Sequence, residues 1–205
     1  MSNIYLLRHG EIPQSSPRRF VGQRDLPLTA TGRNQMAALA ERFADKGLER
    51  IVCSPLSRCV ESAAILGRSL LTPEIHADLR EISLGQWEGL TVDEVRRLFP
   101  GQYELRGHDL TGYAPPEGES FGEVQERTWK TFLDIAAGKN TAAIVAHGGV
   151  NRAILCRVLD MPLQHVFRLA QDYACVNILR RDATGFVLER MKEVEIGRAS
   201  CRERV

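Results

Sequence analysis

Apolar residues change their spacing along the first part of the chain, which predicts a strand followed by a helix. Residues 3–7 are a short apolar run typical of a buried strand, and Gly10 begins a polar, proline-containing loop that reaches Pro27. Apolar positions then recur at helical spacing over roughly 29–45, ending before Gly47. These positions are Met36, Leu39, Ala40 and Phe43.

A second strand and helix are predicted next. Residues 50–53 favour a strand that leads into Ser54 and Pro55. A serine followed by a proline is typical of an N-cap and the first helical position. We therefore expect a helix from this point to about Leu70, and then a short extended segment at 74–76.

The middle of the chain predicts a long loop and then an amphipathic helix. Residues 100–118 are rich in Gly, Pro, Tyr and charge, and a loop of this length in a compact domain is usually a functional lid or a disordered insert. Ser120 and Glu123 match the capping box that begins a helix. The buried stripe expected of this helix consists of Phe121, Val124, Thr128, Phe132 and Ile135.

The last part of the chain predicts one more buried strand and a hairpin. Residues 142–146 are continuously apolar, which is typical of a strand buried on both faces, and a helix is expected to follow to about Leu159. Runs near 174–180 and 185–191 favour a closing hairpin. Strands that alternate with helices predict an α/β fold, a three-layer sandwich with a mostly parallel central sheet flanked by helices.

Composition and net charge limit the number of domains and the kinds of partner that we expect. The chain has 205 residues, 43% of them hydrophobic, which is enough for one domain over 1–196. Residues 197–205 carry three arginines without a periodic pattern, so we expect a non-native or disordered tail there. The formal net charge of +1 argues against nucleic acid or an anionic membrane as partner, so any affinity for anions must be local.

Targeting and redox signals are weak. The first residues lack a signal-peptide pattern, and no apolar run approaches the roughly 20 residues of a membrane helix, which predicts a cytoplasmic protein. Five cysteines without a CxxC pair are expected to be reduced and mostly buried.

Cationic side chains follow three predicted strands. Arg8 and His9 follow the first, Arg58 lies just after the second, and His147 follows the apolar strand, so in a parallel sheet all can meet at one edge. An arginine near a helix N-terminus is locally unfavourable by up to about 1 kcal/mol unless an anion lies between them. Taken alone, Arg58 is better explained as a surface arginine that points into water.

His9 adds a candidate nucleophile to this anion site. A neutral imidazole can attack phosphorus if its other ring nitrogen donates to a backbone carbonyl, and Gly10 allows such a close approach. Arg8, Arg58 and a protonated His147 would then stabilise the charge on the phosphoryl oxygens without a metal. The alternative is a histidine with a purely structural role.

The leaving group needs a proton, and Glu81 is the candidate acid. It would need an apolar flank, such as Ile82, Leu84 or Trp87, to hold a proton near neutral pH. A surface glutamate paired with Arg80 is the alternative, and spacing along the sequence does not separate the two.

These residues belong to blocks that resemble the histidine phosphatase superfamily, also called the phosphoglycerate-mutase-like family. The resemblance runs from Ile4 to about Lys192, and the blocks are specific because they occur jointly and in this order. In sequence order they are Leu6-Leu7-Arg8-His9-Gly10-Glu11, Gly22-Gln23-Arg24-Asp25-Leu26-Pro27-Leu28-Thr29 with Gly32, Ser54-Pro55-Leu56-Ser57-Arg58, Leu79-Arg80-Glu81-Ile82, Gly85-Gln86-Trp87-Glu88-Gly89, Gly118-Glu119-Ser120 and Ala146-His147-Gly148-Gly149.

The resemblance implies a role for each site residue and no metal or other cofactor. It implies His9 as the phosphorylated nucleophile and Glu81 as the proton donor. Around them it implies a phosphate- and substrate-binding pocket formed by Arg8, Arg58, His147, Gly148 and Gly22.

The resemblance also implies a reaction and a substrate class. The Gly-Gln-Trp-Glu-Gly tract is similar to the phosphatase branch and to alpha-ribazole phosphatases of cobalamin biosynthesis, which implies hydrolysis of a small phosphorylated metabolite such as alpha-ribazole 5′-phosphate. A phosphoglycerate-mutase-type transfer, a catalytically silent phospho-ligand-binding domain and a homodimer stay open. The family's Thr and Asn after Glu11, of which the Asn helps to hold the phosphate, are missing at 12–16. We expect residues 12–21 and 100–118 to determine the substrate.

Overall fold

The computed structural model describes residues 3–138, 140–182 and 185–193, and over them the chain is an α/β protein with one six-stranded sheet. The predicted tail at 197–205 and Cys201 lie outside the described residues, and the domain boundary at 196 stays a prediction. The strands are β1 (Asn3–Arg8), β2 (Arg50–Cys53), β3 (Glu74–Ile75), β4 (Ala142–Ala146), β5 (Val176–Asp182) and β6 (Gly185–Glu193). The helices are α1 (Ala30–Phe43), α2 (Ser57–Gly67), α3 (Val92–Leu98), α4 (Gln102–His108), α5 (Phe121–Ala136) and α6 (Gly148–Val158).

The sheet is mostly parallel, as predicted. Its order is β3-β2-β4-β1-β5-β6, and β1, β2, β3 and β4 run parallel, while β5 and β6 form the predicted antiparallel hairpin at one edge. The parallel arrangement puts the carboxyl ends of β2, β4 and β1 side by side. These are the three strand ends that carry the candidate chemistry.

Two hydrophobic cores make the three layers. One face of the sheet packs on α1 and α2 through residues such as Met36 and Cys59, and the other packs on α5 and α6 through residues such as Phe132 and Ile154. Alternate residues of β4 serve the two cores, because side chains along a strand point to opposite faces. The uniformly apolar β4 is therefore explained by burial on both sides.

The predicted start and end of α2 are wrong. This helix begins at Ser57 after Leu56, without a side-chain cap, and ends at Gly67 rather than at Leu70. Ser54 is not an N-cap, because its backbone N–H donates to the Val145 carbonyl at 3.1 Å and so continues the β2 ladder.

The prediction of an irregular segment over 100–118 is also wrong in part. Residues 102–108 form α4, none of whose residues is buried, so the helix has no apolar stripe by which the sequence could predict it. Helix α3 was not predicted, although Thr91 and Glu94 form a capping box at its start. The capping box of Ser120 and Glu123 on α5 is confirmed, as is the buried stripe of that helix.

Candidate active site

The carboxyl edge of the sheet brings together four of the side chains selected from the sequence. His9 directly follows β1, and its ring centroid lies 5.2 Å from that of His147, which follows β4. The Nε atom of Arg58, in the first turn of α2, lies 3.3 Å from Nδ1 of His147. Arg8 and Arg58 are both close enough to affect the ionisation of His9. The four side chains therefore surround one volume.

His9 is held in one tautomer. Its Nδ1 lies 2.7 Å from the Gly10 carbonyl oxygen, which can only accept, so Nδ1 carries the proton and Nε2 presents a lone pair. Burial, together with the Arg8 and Arg58 guanidinium groups, holds the pKa of His9 well below its ordinary value, although the bond to Gly10 opposes this shift. The lowered pKa keeps the imidazole neutral, and so able to act as a nucleophile, at neutral pH.

Position 10 requires glycine, because the backbone there lies too close to α1 for a side chain to fit. A Cβ at this position would lie 2.4 Å from the carbonyl oxygen of Gly32, in the first turn of α1. The Gly10 N–H also donates to Ser62 Oγ at 3.1 Å. The loop after His9 is therefore fixed from both sides.

Arg58 is a buried cation rather than a surface arginine. The side chain is 1% exposed and donates from Nη1 to the Arg24 carbonyl at 2.7 Å and from Nη2 to the Gly22 carbonyl at 2.9 Å. With the contact to His147, three of its five N–H groups are engaged, and the other two have no partner among the described residues. A buried guanidinium without a paired carboxylate favours the binding of an anion.

Arg8 shows the same incomplete pairing. Its Nη1 donates to the Gln171 carbonyl at 2.6 Å and its guanidinium stacks on the Tyr173 ring, 3.9 Å from the centroid. The buried Nε atom has no hydrogen-bond partner among the described residues. An unpaired buried donor costs about 1–3 kcal/mol, which an oxyanion would offset.

His147 differs from the prediction in its protonation. We expected a protonated imidazole, but burial and the Arg58 charge hold the pKa of His147 well below its ordinary value. The contacts agree, because Nδ1 accepts from Arg58 and Nε2 therefore donates to Ser54 Oγ at 2.7 Å. The positive charge of the free site thus comes from arginine, and a bound dianion would favour protonation of His147.

Glu81 faces the cluster across the site. Its Oε2 accepts from the Gly149 N–H at 3.1 Å and its Oε1 from the Ile82 N–H at 3.0 Å. Ile82, Leu84 and Trp87, the residues expected to flank this carboxyl, are all buried. No contact with Arg80 is found in the described part of the chain, so pairing with that residue does not explain Glu81.

Two charged side chains that were not predicted, Arg127 and Glu88, hold the segment around Glu81 in place. Arg127 of α5 donates to the Arg80 and Glu81 carbonyls at 2.8 and 3.2 Å and pairs with Glu119 at 2.7 Å. Glu88 accepts from the Gln23 and Leu84 N–H groups at 2.8 and 3.1 Å. The Glu88 carboxylate thereby links the two loops that carry Gly22 and Glu81. This gives the Gly-Gln-Trp-Glu-Gly tract a structural role.

The other selected residues fall into two groups. The Gly22 carbonyl accepts from Arg58, and Gly148 is the first residue of α6, where a Cβ would lie 3.6 Å from Arg8 Nε. His76 and His165 are half-buried and His108 is exposed, outside this cluster. Tyr173, which contacts both Arg8 and His9, was missed because it belongs to no motif and follows no strand.

Two other classes of site find little support in the described residues. No group of three or more His, Cys, Asp or Glu side chains there is arranged to hold a metal ion. Cys59 approaches His147, but burial holds the pKa of its thiol well above the ordinary value, so it is not a thiolate nucleophile. Cys53, Cys59, Cys156 and Cys175 are free and buried, as predicted.

None of the helices in the described part of the chain is long and apolar enough to span a membrane.

Known proteins share this architecture. The family model described as the histidine phosphatase superfamily (branch 1) matches residues 4–194. The chain is 34% identical to a glucosyl-3-phosphoglycerate phosphatase of Mycolicibacterium vanbaalenii over 79% of this chain and 76% of that protein. It is 32% identical to a probable phosphoglycerate mutase of Yersinia pestis, over 82% and 80% of the two chains.

One solved structure bears on the fold alone. The alpha-ribazole phosphatase from Shigella flexneri superposes with a TM-score of 0.85 at 23% identity, covering 93% of this chain and 96% of that one. The predicted three-layer α/β fold is thereby confirmed. Some other curated matches are longer proteins, of which the chain spans about half.

Proposed function

The chain belongs to the histidine phosphatase superfamily (branch 1), and we propose that it hydrolyses a small phosphate monoester through a phosphohistidine on His9. The observation that supports this most strongly is the locked Nδ1 of His9 between two incompletely paired arginines. That arrangement presents a lone pair and a positive environment to the same phosphorus. A relative named as a phosphatase supports the same reaction class.

The proposed first step is an in-line transfer. Nε2 of His9 attacks phosphorus, and the bond to the ester oxygen breaks as the new N–P bond forms. Arg8 and Arg58 bind the equatorial oxygens, and His147 takes a proton from solvent as the dianion enters. Glu81 gives its proton to the leaving oxygen, so the alcohol departs neutral.

The second step releases phosphate. Water attacks the phosphohistidine, Glu81 takes a proton from that water, and the N–P bond breaks to regenerate neutral His9 and protonated Glu81. Charge is conserved, because the proton that left with the alcohol is replaced from water. Glu81 supplies and recovers the transferred proton, inorganic phosphate is the product, and His147 returns its proton to solvent as phosphate leaves.

The second candidate is a mutase, in which a substrate hydroxyl replaces water. It is favoured by the 32% identity to a probable phosphoglycerate mutase. Hydrolysis is preferred because of the Gly-Gln-Trp-Glu-Gly tract. Alpha-ribazole 5′-phosphate is one substrate to include in a screen. The Shigella alpha-ribazole phosphatase supports the fold but not this substrate, because the two chains are only 23% identical. A homodimer and a cytoplasmic location stay predictions.

The function is tested with an aryl phosphate and with 3-phosphoglycerate. We expect phosphate release from 4-nitrophenyl phosphate to be unchanged after incubation with EDTA, because His9 and the arginines provide both nucleophile and charge. We also expect phosphate release from 3-phosphoglycerate to exceed its isomerisation. Loss of activity with EDTA would contradict the metal-free mechanism, and faster isomerisation would favour the mutase.

The substitution Gly149→Ala is expected to displace the Glu81 carboxylate without lowering the thermal stability of the protein. A Cβ at Gly149 would lie 2.4 Å from Glu81 Oε1, so the carboxylate must move. We expect kcat for alkyl phosphates to fall about 10²-fold, because a displacement of about 1 Å can cost this much. Thermal stability should stay equal or rise slightly, since alanine favours the helical state by up to about 1 kcal/mol.

Gly107→Ala is the matched control for this substitution. Gly107 is also helical, in α4, and a Cβ there would meet nothing within 4 Å. Its kinetics should equal those of the wild type. If Gly149→Ala has the same kcat for alkyl phosphates as the wild type, the position of the Glu81 carboxylate does not affect the reaction. That result would contradict its role as proton donor.

A further inference from the structure

A cavity of about 300 Å³ lies beside the proposed phosphate site and has no assigned role. Residues of the loop between β1 and α1 form most of its wall, from Ile12 to Leu26, and Tyr173 closes the remaining side. The Tyr173 ring lies 5.6 Å from the His9 ring, centroid to centroid. The cavity therefore adjoins the proposed phosphate site through Tyr173.

The cavity wall is strongly cationic. Arg18, Arg19 and Arg24 line it, and none of its lining residues is acidic. Arg19 is engaged, because its Nη1 donates to the Glu94 carboxylate and to the Gly89 carbonyl, each at 2.8 Å. The guanidinium groups of Arg18 and Arg24 have no hydrogen bond or ion pair within the described residues.

No carboxylate among the described residues forms an ion pair with either of these two arginines. Glu11 Oε1 accepts from the Thr29 hydroxyl at 2.8 Å, and Asp25 Oδ1 accepts from the Ser57 N–H at 2.8 Å. Both acids are therefore bound to α1 or to the start of α2. Arg18 and Arg24 are exposed residues of the cavity lining. Two guanidinium groups without a paired carboxylate can contact a bound oxyanion in bidentate fashion.

We propose that this cavity binds the part of the substrate that is not transferred, and that this part carries a second oxyanion, either a carboxylate or a second phosphate group. This inference rests on the proposed phosphatase function, because it places the transferred phosphoryl group on His9. The substrate class is then an anionic phosphate monoester. Arg18 and Arg24 contact its second anion and determine specificity.

Three small ligands test the inference as competitors of 4-nitrophenyl phosphate hydrolysis. Glycerol 3-phosphate carries no second anion, 3-phosphoglycerate has a carboxylate in place of one CH₂OH group, and glycerol 1,3-bisphosphate has a second phosphate. We expect at least one of the two competitors with a second anionic group to inhibit about tenfold more strongly than glycerol 3-phosphate. Whichever competes better identifies the oxyanion.

Substitutions of Arg18 and Arg24 test whether the stronger inhibition by a ligand with a second anionic group depends on the cavity. In the double variant Arg18→Gln with Arg24→Gln the advantage should disappear, and with lysine at both positions part of it should return. Arg33→Gln is the control, because it removes a surface arginine that pairs with Glu61 at 2.6 Å on α1 and α2. It should leave the ratio of inhibition constants unchanged.

The inference fails if all three ligands inhibit the wild type equally, or if the glutamine variant keeps the advantage. A separate result bears on the proposed function. If the wild type does not hydrolyse 4-nitrophenyl phosphate, the proposed function fails. The three ligands are then compared by calorimetric titration, and the same ratio of dissociation constants decides the inference.

Discussion

Substitution of His9 by alanine is expected to reduce phosphate release from 4-nitrophenyl phosphate by about 10⁴-fold or more. The other side chains at the site can bind the phosphoryl group and stabilise its charge, but none of them replaces the lone pair at His9 Nε2. Loss of the nucleophile removes the covalent route and leaves only the weak effect of binding and charge stabilisation. The measurement is steady-state kcat/KM at pH 7, with circular dichroism to verify folding.

The fold of the His9→Ala variant should persist. His9 is buried beside two cationic arginines, and its loss removes an imidazole whose charged form the native site disfavours. His108→Ala is the control, because this histidine is exposed and lies outside the cluster. Its activity should equal that of the wild type. A folded His9→Ala protein with more than a few per cent of wild-type activity would rule out His9 as nucleophile.

Glu81→Gln is expected to show the second-largest effect, and the effect should depend on the leaving group. For alkyl phosphates such as glycerol 3-phosphate we expect kcat to fall about 10²–10³-fold, because the alkoxide must be protonated as it departs. For 4-nitrophenyl phosphate the first step should change little, since 4-nitrophenolate leaves without a proton. The measurement is kcat on both substrates, with a rapid-quench burst of 4-nitrophenolate.

Glu126→Gln provides the control for this prediction. Glu126 lies on α5 and its side chain is 78% exposed, so the same change of charge occurs without contact with the site. The control should retain wild-type values on both substrates. If the rate of the 4-nitrophenolate burst fell in Glu81→Gln as much as the rate on alkyl phosphates, this would indicate a structural role and would contradict proton donation.

The sequence predicted the elements whose signal is local and strong. Residues 142–146 were identified as a doubly buried strand because every position is apolar, and α5 because its cap and stripe agree. Arg8, His9, Arg58 and His147 could be selected together, since parallel strands end at one edge. The grouping of these four side chains therefore follows from the strand order that the sequence predicts.

The remaining features depend on contacts between distant segments. The hydroxyl of Ser54 contacts His147 rather than capping α2, and no local pattern distinguishes these two uses of a serine. The protonation of His147 depends on the Arg58 charge and on complete burial, neither of which the sequence encodes locally. Tyr173 and Arg127 reach the site from loops or helices outside any motif, so only the packed structure identifies them.

The most direct measurement of the central claim is the chemical identity of the phosphorylated residue. Glu81→Gln is mixed with 4-nitrophenyl phosphate, denatured in base after milliseconds, digested, and analysed by mass spectrometry. We predict a base-stable, acid-labile phosphoryl group on the peptide that contains His9, because the weakened base slows hydrolysis of the intermediate. A burst of 4-nitrophenolate without phosphate on His9, or with phosphate on another residue, would contradict the account.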